Sequence, residues 1–151
     1  MKYERFQSYE LTYTALAAVS GSDQKSFQVE VDYDFWWTKA QAFVFDAAGL
    51  GVSRLQWPNI EVLLQEGASN QQLVNQAASI NSLFGSGEIP FILPKPHPVQ
   101  GGSTMVATVT NRHTLTAFSV RLCFSGVQVL RGQPLKAAGV RATASGRMRG
   151  R

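Results

Sequence analysis

The chain has 151 residues, of which 44% are hydrophobic, 11% aromatic and 16% charged. That length suits one domain with its own core. The single cysteine, Cys123, excludes an intrachain disulfide, no run approaches the roughly 18 apolar residues of a membrane helix, and Met1–Phe6 lacks a signal-peptide core. A soluble protein with no membrane partner and no readable export address is expected. The net charge of +4 is unevenly placed. Residues 131–151 hold six of the 14 basic residues and no acid, while the other eight basic residues face all 10 acids. The C-terminal end, not the body, makes the protein basic.

Residues 1–10 mix charges with Tyr3, Phe6 and Tyr9 and read as an arm whose aromatic side chains seek pockets on the body or on a neighbour. Leu11 to Val19 leans to strand, with Leu11, Tyr13 and Ala15 on one face, and Gly21-Ser22-Asp23 is a turn. Phe27, Val29 and Val31 alternate with Gln28, Glu30 and Asp32, which predicts a half-buried strand with carboxylates outward. Phe35 to Phe45 is a long aromatic strand, Asp46 to Arg54 a turn or loop, and Ile60 to Glu66 another strand. Ser69 to Phe84 is the one helical candidate, and its Asn and Ser content favours a polar loop with one or two short turns. Ser103 to Thr110 and Thr116 to Leu130 are strands joined by a hairpin at Asn111-Arg112-His113. Gly126 marks a bulge or the point where the last strand leaves its sheet.

Residues 85–111 organise this pattern. Pro94, Pro96 and Pro98 alternate with Lys95 and His97. Each proline fixes its own φ and pushes its predecessor to extended backbone, so the run is not helix and belongs at a sheet edge or a crossing between sheets. Lys95 and His97 are expected to point outward as a stiff rim. Seven or eight strands with long connections predict an all-β fold, a two-sheet β-sandwich, jelly-roll-like, with extended N- and C-terminal arms. The expected boundaries are an arm at 1–10, the sandwich at 11–131 and a basic flexible arm at 132–151.

No enzyme constellation emerges, so catalytic, cofactor and metal sites are all expected to be absent. Glu30, Asp32 and Asp34 at spacing two could share a strand face, but no calcium-type glycine loop surrounds them. His97 and His113 lack a second ligand at zinc spacing, and Cys123 sits mid-strand as a small packing residue. The adjacent Trp36 and Trp37 must face opposite sides of a strand, one to the core and one toward a partner. The arginines of the tail, Arg141, Arg147, Arg149 and Arg151, suit an acidic protein surface or nucleic acid, or act only as a solubilising tail. The partner-contact set is therefore Tyr3, Phe6, Trp36, Trp37, Lys95, His97, Arg141, Arg147, Arg149 and Arg151.

Phe35–Phe45, an apolar strand closing in Glu66-Gly67, Leu83-Phe84-Gly85, Ile89-Pro90-Phe91-Ile92-Leu93-Pro94-Lys95-Pro96, Gly101-Gly102-Ser103, the strand ending at Asn111, and the closing Leu122–Val129 follow in a set order. Over residues 11–131 this resembles small virion structural proteins of tailed bacteriophages: jelly-roll cement or decoration proteins of heads, and related vertex or collar proteins. The resemblance implies an adhesive protein in the virion that binds the major capsid protein or other virion proteins across subunits and self-associates as a dimer or trimer. The alternative from another class is a carbohydrate-binding β-sandwich of a fibre, with Tyr33, Trp36, Trp37 and Trp57 as the sugar platform.

Overall fold

A computed structural model describes residues 4–67, 71–74 and 76–131. The strands are β1 (Glu4–Leu16), β2 (Ser22–Gln28), β3 (Tyr33–Phe45), β4 (Gly51–Val52), β5 (Ile60–Glu66), β6 (Gln71–Gln72), β7 (Ala78–Ser79), β8 (Phe91–Val99), β9 (Thr104–Asn111) and β10 (Phe118–Leu130). A short 3₁₀ turn covers Arg54–Gln56, and α1 is a single turn, Ile80–Leu83. Among the described residues of 69–84 the only helix is this one turn, in line with the polar loop of one or two short turns expected there.

All strand pairs are antiparallel, and they form two sheets. In the first, β1 pairs β10, β10 pairs β3, and β3 carries β8 and β4 on its other side. In the second, β2 pairs β9, β9 pairs β5, and β5 carries β6 and β7. The first long strand therefore pairs with the last, the second with the last but one and the third with β8, while β5 lies beside β9 and carries β6 and β7. This is the pairing of a long hairpin rolled into a two-sheet sandwich, the jelly-roll pattern.

The two inner faces supply the core. Leu11, Tyr13, Ala42, Val44, Val120 and Leu122 come from the first sheet and Ile60, Val62, Met105, Ala107 and Val109 from the second, all nearly or fully buried. Phe27 bridges the sheets, stacked on Tyr9 at 4.2 Å and packed against Phe124 at 5.2 Å. Such aromatic pairs contribute about 0.5–1.5 kcal/mol each beyond the area they bury.

From Glu4 onward, the segment expected to be an arm is strand, in register with β10 from Glu4↔Val129 to Tyr13↔Val120. Its inward positions include polar residues, which hid the alternation. Arg5 faces inward and closes that end of the sandwich. Its Nε donates to Gln128 Oε1 at 2.7 Å, its guanidinium lies 4.5 Å from the Tyr33 ring centroid, and it pairs with Glu30 at 2.6 Å. Gln128 is fully buried and donates to Tyr9 Oη at 2.7 Å. A polar group buried this deeply is tolerated because both ends of the amide are bonded.

Three further expectations are corrected. The 111–113 segment is not a hairpin, because β9 and β10 lie in different sheets. Buried Asn111 pins the crossing: Nδ2 donates to the carbonyls of Leu16 (2.9 Å) and Thr116 (3.0 Å), and Oδ1 accepts from His113 N (2.9 Å). The alternation through Val31 stops early, since β2 ends at Gln28 and Val31 is exposed in the turn closed by Tyr33 N donating to Glu30 O. Glu30, Asp32 and Asp34 consequently share no strand face. Ala15 is not on the inner face either: at φ +48° it forms a bulge that turns Leu16 inward.

β3 also changes parity. Phe35 and Trp37 point inward before Thr38, and Ala40, Ala42 and Val44 after it. Thr38 is an extra residue opposite β10, where Ser125 faces Lys39 and Gly126 faces Trp37. The bulge expected at Gly126 is thus carried by β3, and Gly126 is its counterpart. A Cβ at Gly126 would overlap the carbonyl oxygen of Trp36, so only glycine lets the kinked strand approach.

Candidate functional site: two apolar surfaces on the first sheet

The strand registers bring two of the predicted contact residues together. Phe6 lies opposite Val127, Val127 opposite Trp36, and Trp36 opposite Pro98. Their neighbours one position on, Arg5, Gln128, Phe35 and Val99, face inward, so the row faces outward. It crosses four strands, β1, β10, β3 and β8, on the outer face of the first sheet. Phe6 is 73% exposed, Pro98 is exposed, and Val127 and Trp36 are half-buried. Trp37 takes the opposite face, as expected of adjacent residues. It is buried, and its indole N–H donates to Lys39 O at 2.8 Å.

Lys95 and His97 part company. Opposite Thr38, residues Leu93 to Pro96 loop out of β8, between the pairs Lys39↔Ile92 and Trp37↔His97. Lys95 is exposed in that loop. His97 resumes pairing opposite Trp37 and shares its inward side, edge-on to the indole at 6.4 Å, with Nε2 buried and without a hydrogen-bond partner among the described residues. The outward rim is therefore Lys95 and the prolines, not His97. The prolines withhold N–H donors from the free edge of β8, which discourages strand addition there. Tyr3, Arg141, Arg147, Arg149 and Arg151 lie outside the described residues, as does the whole of 132–151.

A second apolar surface was not anticipated. A groove of about 560 Å³ opens beside β3 where β4 and the 86–89 loop flank it. Its floor includes Phe43 and Phe45, and Trp57 backs it. One wall is Val52 with the 3₁₀ turn of Arg54 and Leu55; the other is Ser86 to Ile89. Both walls are tied down. Asp46 Oδ1 accepts from Ala48 N and Leu50 N at 2.9 Å each, and the Trp57 indole donates to Val52 O at 3.0 Å. On the other side Ala42 N donates to Gly85 O (2.8 Å), Gln41 Nε2 to Gly87 O (3.3 Å) and Ile89 N to Ser86 Oγ (3.0 Å). Leu55 is 97% exposed and Ile89 66%, and Leu50, Phe91 and Ile92 add exposed apolar surface next to them in the chain. The only sequence signal was a lone aliphatic residue inside each of two polar turns, Ser53-Arg54-Leu55-Gln56 and Ser86-Gly87-Glu88-Ile89.

The remaining chemistry-bearing groups have structural partners. Cys123 Sγ lies 3.0 Å from Ser8 Oγ and 3.5 Å from Ser125 Oγ. His113 Nδ1 accepts from the backbone N–H of Leu115 and of Thr116, each at 3.2 Å. Asp34 Oδ1 accepts from Gly101 N at 2.9 Å. Among the described residues no three His, Cys, Asp or Glu side chains gather to hold a metal ion, and no helix is long and apolar enough to cross a membrane. Trp37 and Trp57 are buried, so Trp36 is the tryptophan that reaches the surface. No family model matches the chain, and no curated protein matches it either.

Proposed function

We propose that this is a non-enzymatic structural protein of a bacteriophage virion, of the cement or decoration type, which attaches across capsid subunits and stabilises the head. The observation that carries the reading is the outward row Phe6–Val127–Trp36–Pro98 on a sheet held rigid by its neighbours. Exposed aromatic side chains on a preorganised surface lose little entropy on docking and dominate interface energetics. The jelly-roll order fits as a fold-level analogy, since capsid proteins and lectins both use it. The basic segment 132–151 adds a second, electrostatic attachment to acidic protein surface, and two attachments raise avidity beyond either alone. In this reading the protein acts in the virion, with the major capsid protein or another virion protein as its partner.

The test is co-sedimentation of the full-length protein with purified particles that lack it. Phe6→Asp and Trp36→Ser are expected to lower occupancy by about tenfold or more, and removal of 132–151 to lower it while leaving the thermal melt unchanged. Equal occupancy for wild type and all three variants refutes the reading. Quenching of tryptophan fluorescence by sugars, lost in Trp36→Ser, would instead support the carbohydrate-binding alternative.

A further inference from the structure

We infer that the groove beside β3 is a self-association site, and that its occupant is the same groove of a second copy of this chain. The two walls carry a matched pair of residues: Arg54-Leu55 on one and Glu88-Ile89 on the other. A two-fold axis running along the groove places each wall against the opposite wall of the partner. Arg54 then meets the partner copy's glutamate, and Leu55 meets the partner copy's isoleucine, each pairing occurring twice. Each copy carries one charge of each sign on the two walls. Glu88 is exposed and has no ion pair among the described residues. Arg54 makes one hydrogen bond, from Nη2 to Asn81 O at 3.3 Å. Leu55, almost fully exposed, is the projecting side chain of its wall, and the partner copy's isoleucine is what it packs against. Because both walls are hydrogen-bonded to the body, the surface is formed before docking and loses little freedom in it.

This association is independent of the particle reading, and it is tested on isolated full-length protein. Sedimentation equilibrium is run on wild type, Leu55→Asp, Arg54→Glu, Glu88→Arg and the double charge swap. Wild type is expected to be a concentration-dependent dimer and Leu55→Asp a monomer. Each single charge reversal should weaken the dimer by about tenfold or more, and the double swap should recover most of that loss. Near-ultraviolet circular dichroism checks that each variant is folded, and the charge variants lie on the surface should Leu55→Asp misfold. A wild type that stays monomeric throughout overturns the inference. So does a dimer indifferent to all the variants, or a double swap no better than the single reversals.

Discussion

Tyr13 offers a test of how the two sheets are joined. It sits on β1 in the first sheet, fully buried, and its hydroxyl donates to Ala107 O on β9 in the second at 2.6 Å. Burial raises its pKa above the usual tyrosine value, the Asp23 charge adds to the rise, and a backbone hydrogen bond at Lys25 opposes it. Because the folded value lies above the unfolded one, the unfolded chain ionises first. Stability from the neutral phenol is therefore complete below about pH 10 and is lost above it at about 1.4 kcal/mol per pH unit, until the folded phenol titrates. Tyr13→Phe removes the hydrogen bond and should cost about 1–1.5 kcal/mol at pH 7. It also removes the ionisation penalty. Urea titrations of both proteins across the alkaline range should therefore show a gap that closes about one pH unit above 10 and then reverses. Tyr9, whose pKa is also raised chiefly by burial, is present in both proteins and cancels. A gap that stays constant from pH 7 into the alkaline range would falsify the buried-phenol account.

Two further substitutions probe the geometry that shapes the candidate surfaces. Gly126→Ala should cost at least about 2 kcal/mol in urea unfolding, because the strands must part to relieve the overlap at Trp36. Gly51→Ala, where a Cβ meets nothing within 4 Å, should stay within about 0.5 kcal/mol of wild type; equal effects at the two sites would contradict the bulge. Asn111→Leu strands two carbonyls and one N–H and should cost about 2–4 kcal/mol. Asn111→Asp can keep only the bond from His113, so it should also be destabilised, with faster amide exchange across 112–117. Wild-type stability in Asn111→Asp would mean that the amide does not hold the crossing.

How much of the site was legible follows from what faces what. Trp36 and Trp37 had to diverge on a strand, and they do. That Phe6 joins Trp36 in one row could not be read from the chain, because they are neighbours only through Val127 on β10, far along the sequence. The inward turn of His97 depends on a four-residue loop in β8 opposite Thr38, a register offset that neither strand encodes alone. The groove was illegible for a related reason. Leu55 and Ile89 each look like ordinary loop residues until β3 places their turns side by side.

By itself the sequence determined the fold class and most strand positions, since period-two alternation and turn residues act locally. It also placed residues 85–111 at an edge and a sheet change, because proline fixes φ and lacks an N–H wherever the chain runs. Tertiary structure decided the rest. From Glu4 the chain is strand, not an arm, because β10 offers it a full ladder and Arg5 bonds Gln128 at the open end of the sandwich. The 111–113 segment crosses between sheets because Asn111 binds carbonyls at Leu16 and Thr116. Which side chains reach the surface together was set by bulges at Ala15 and Thr38. Each reverses the inward–outward alternation of everything beyond it, and pairing with a distant strand is what places it.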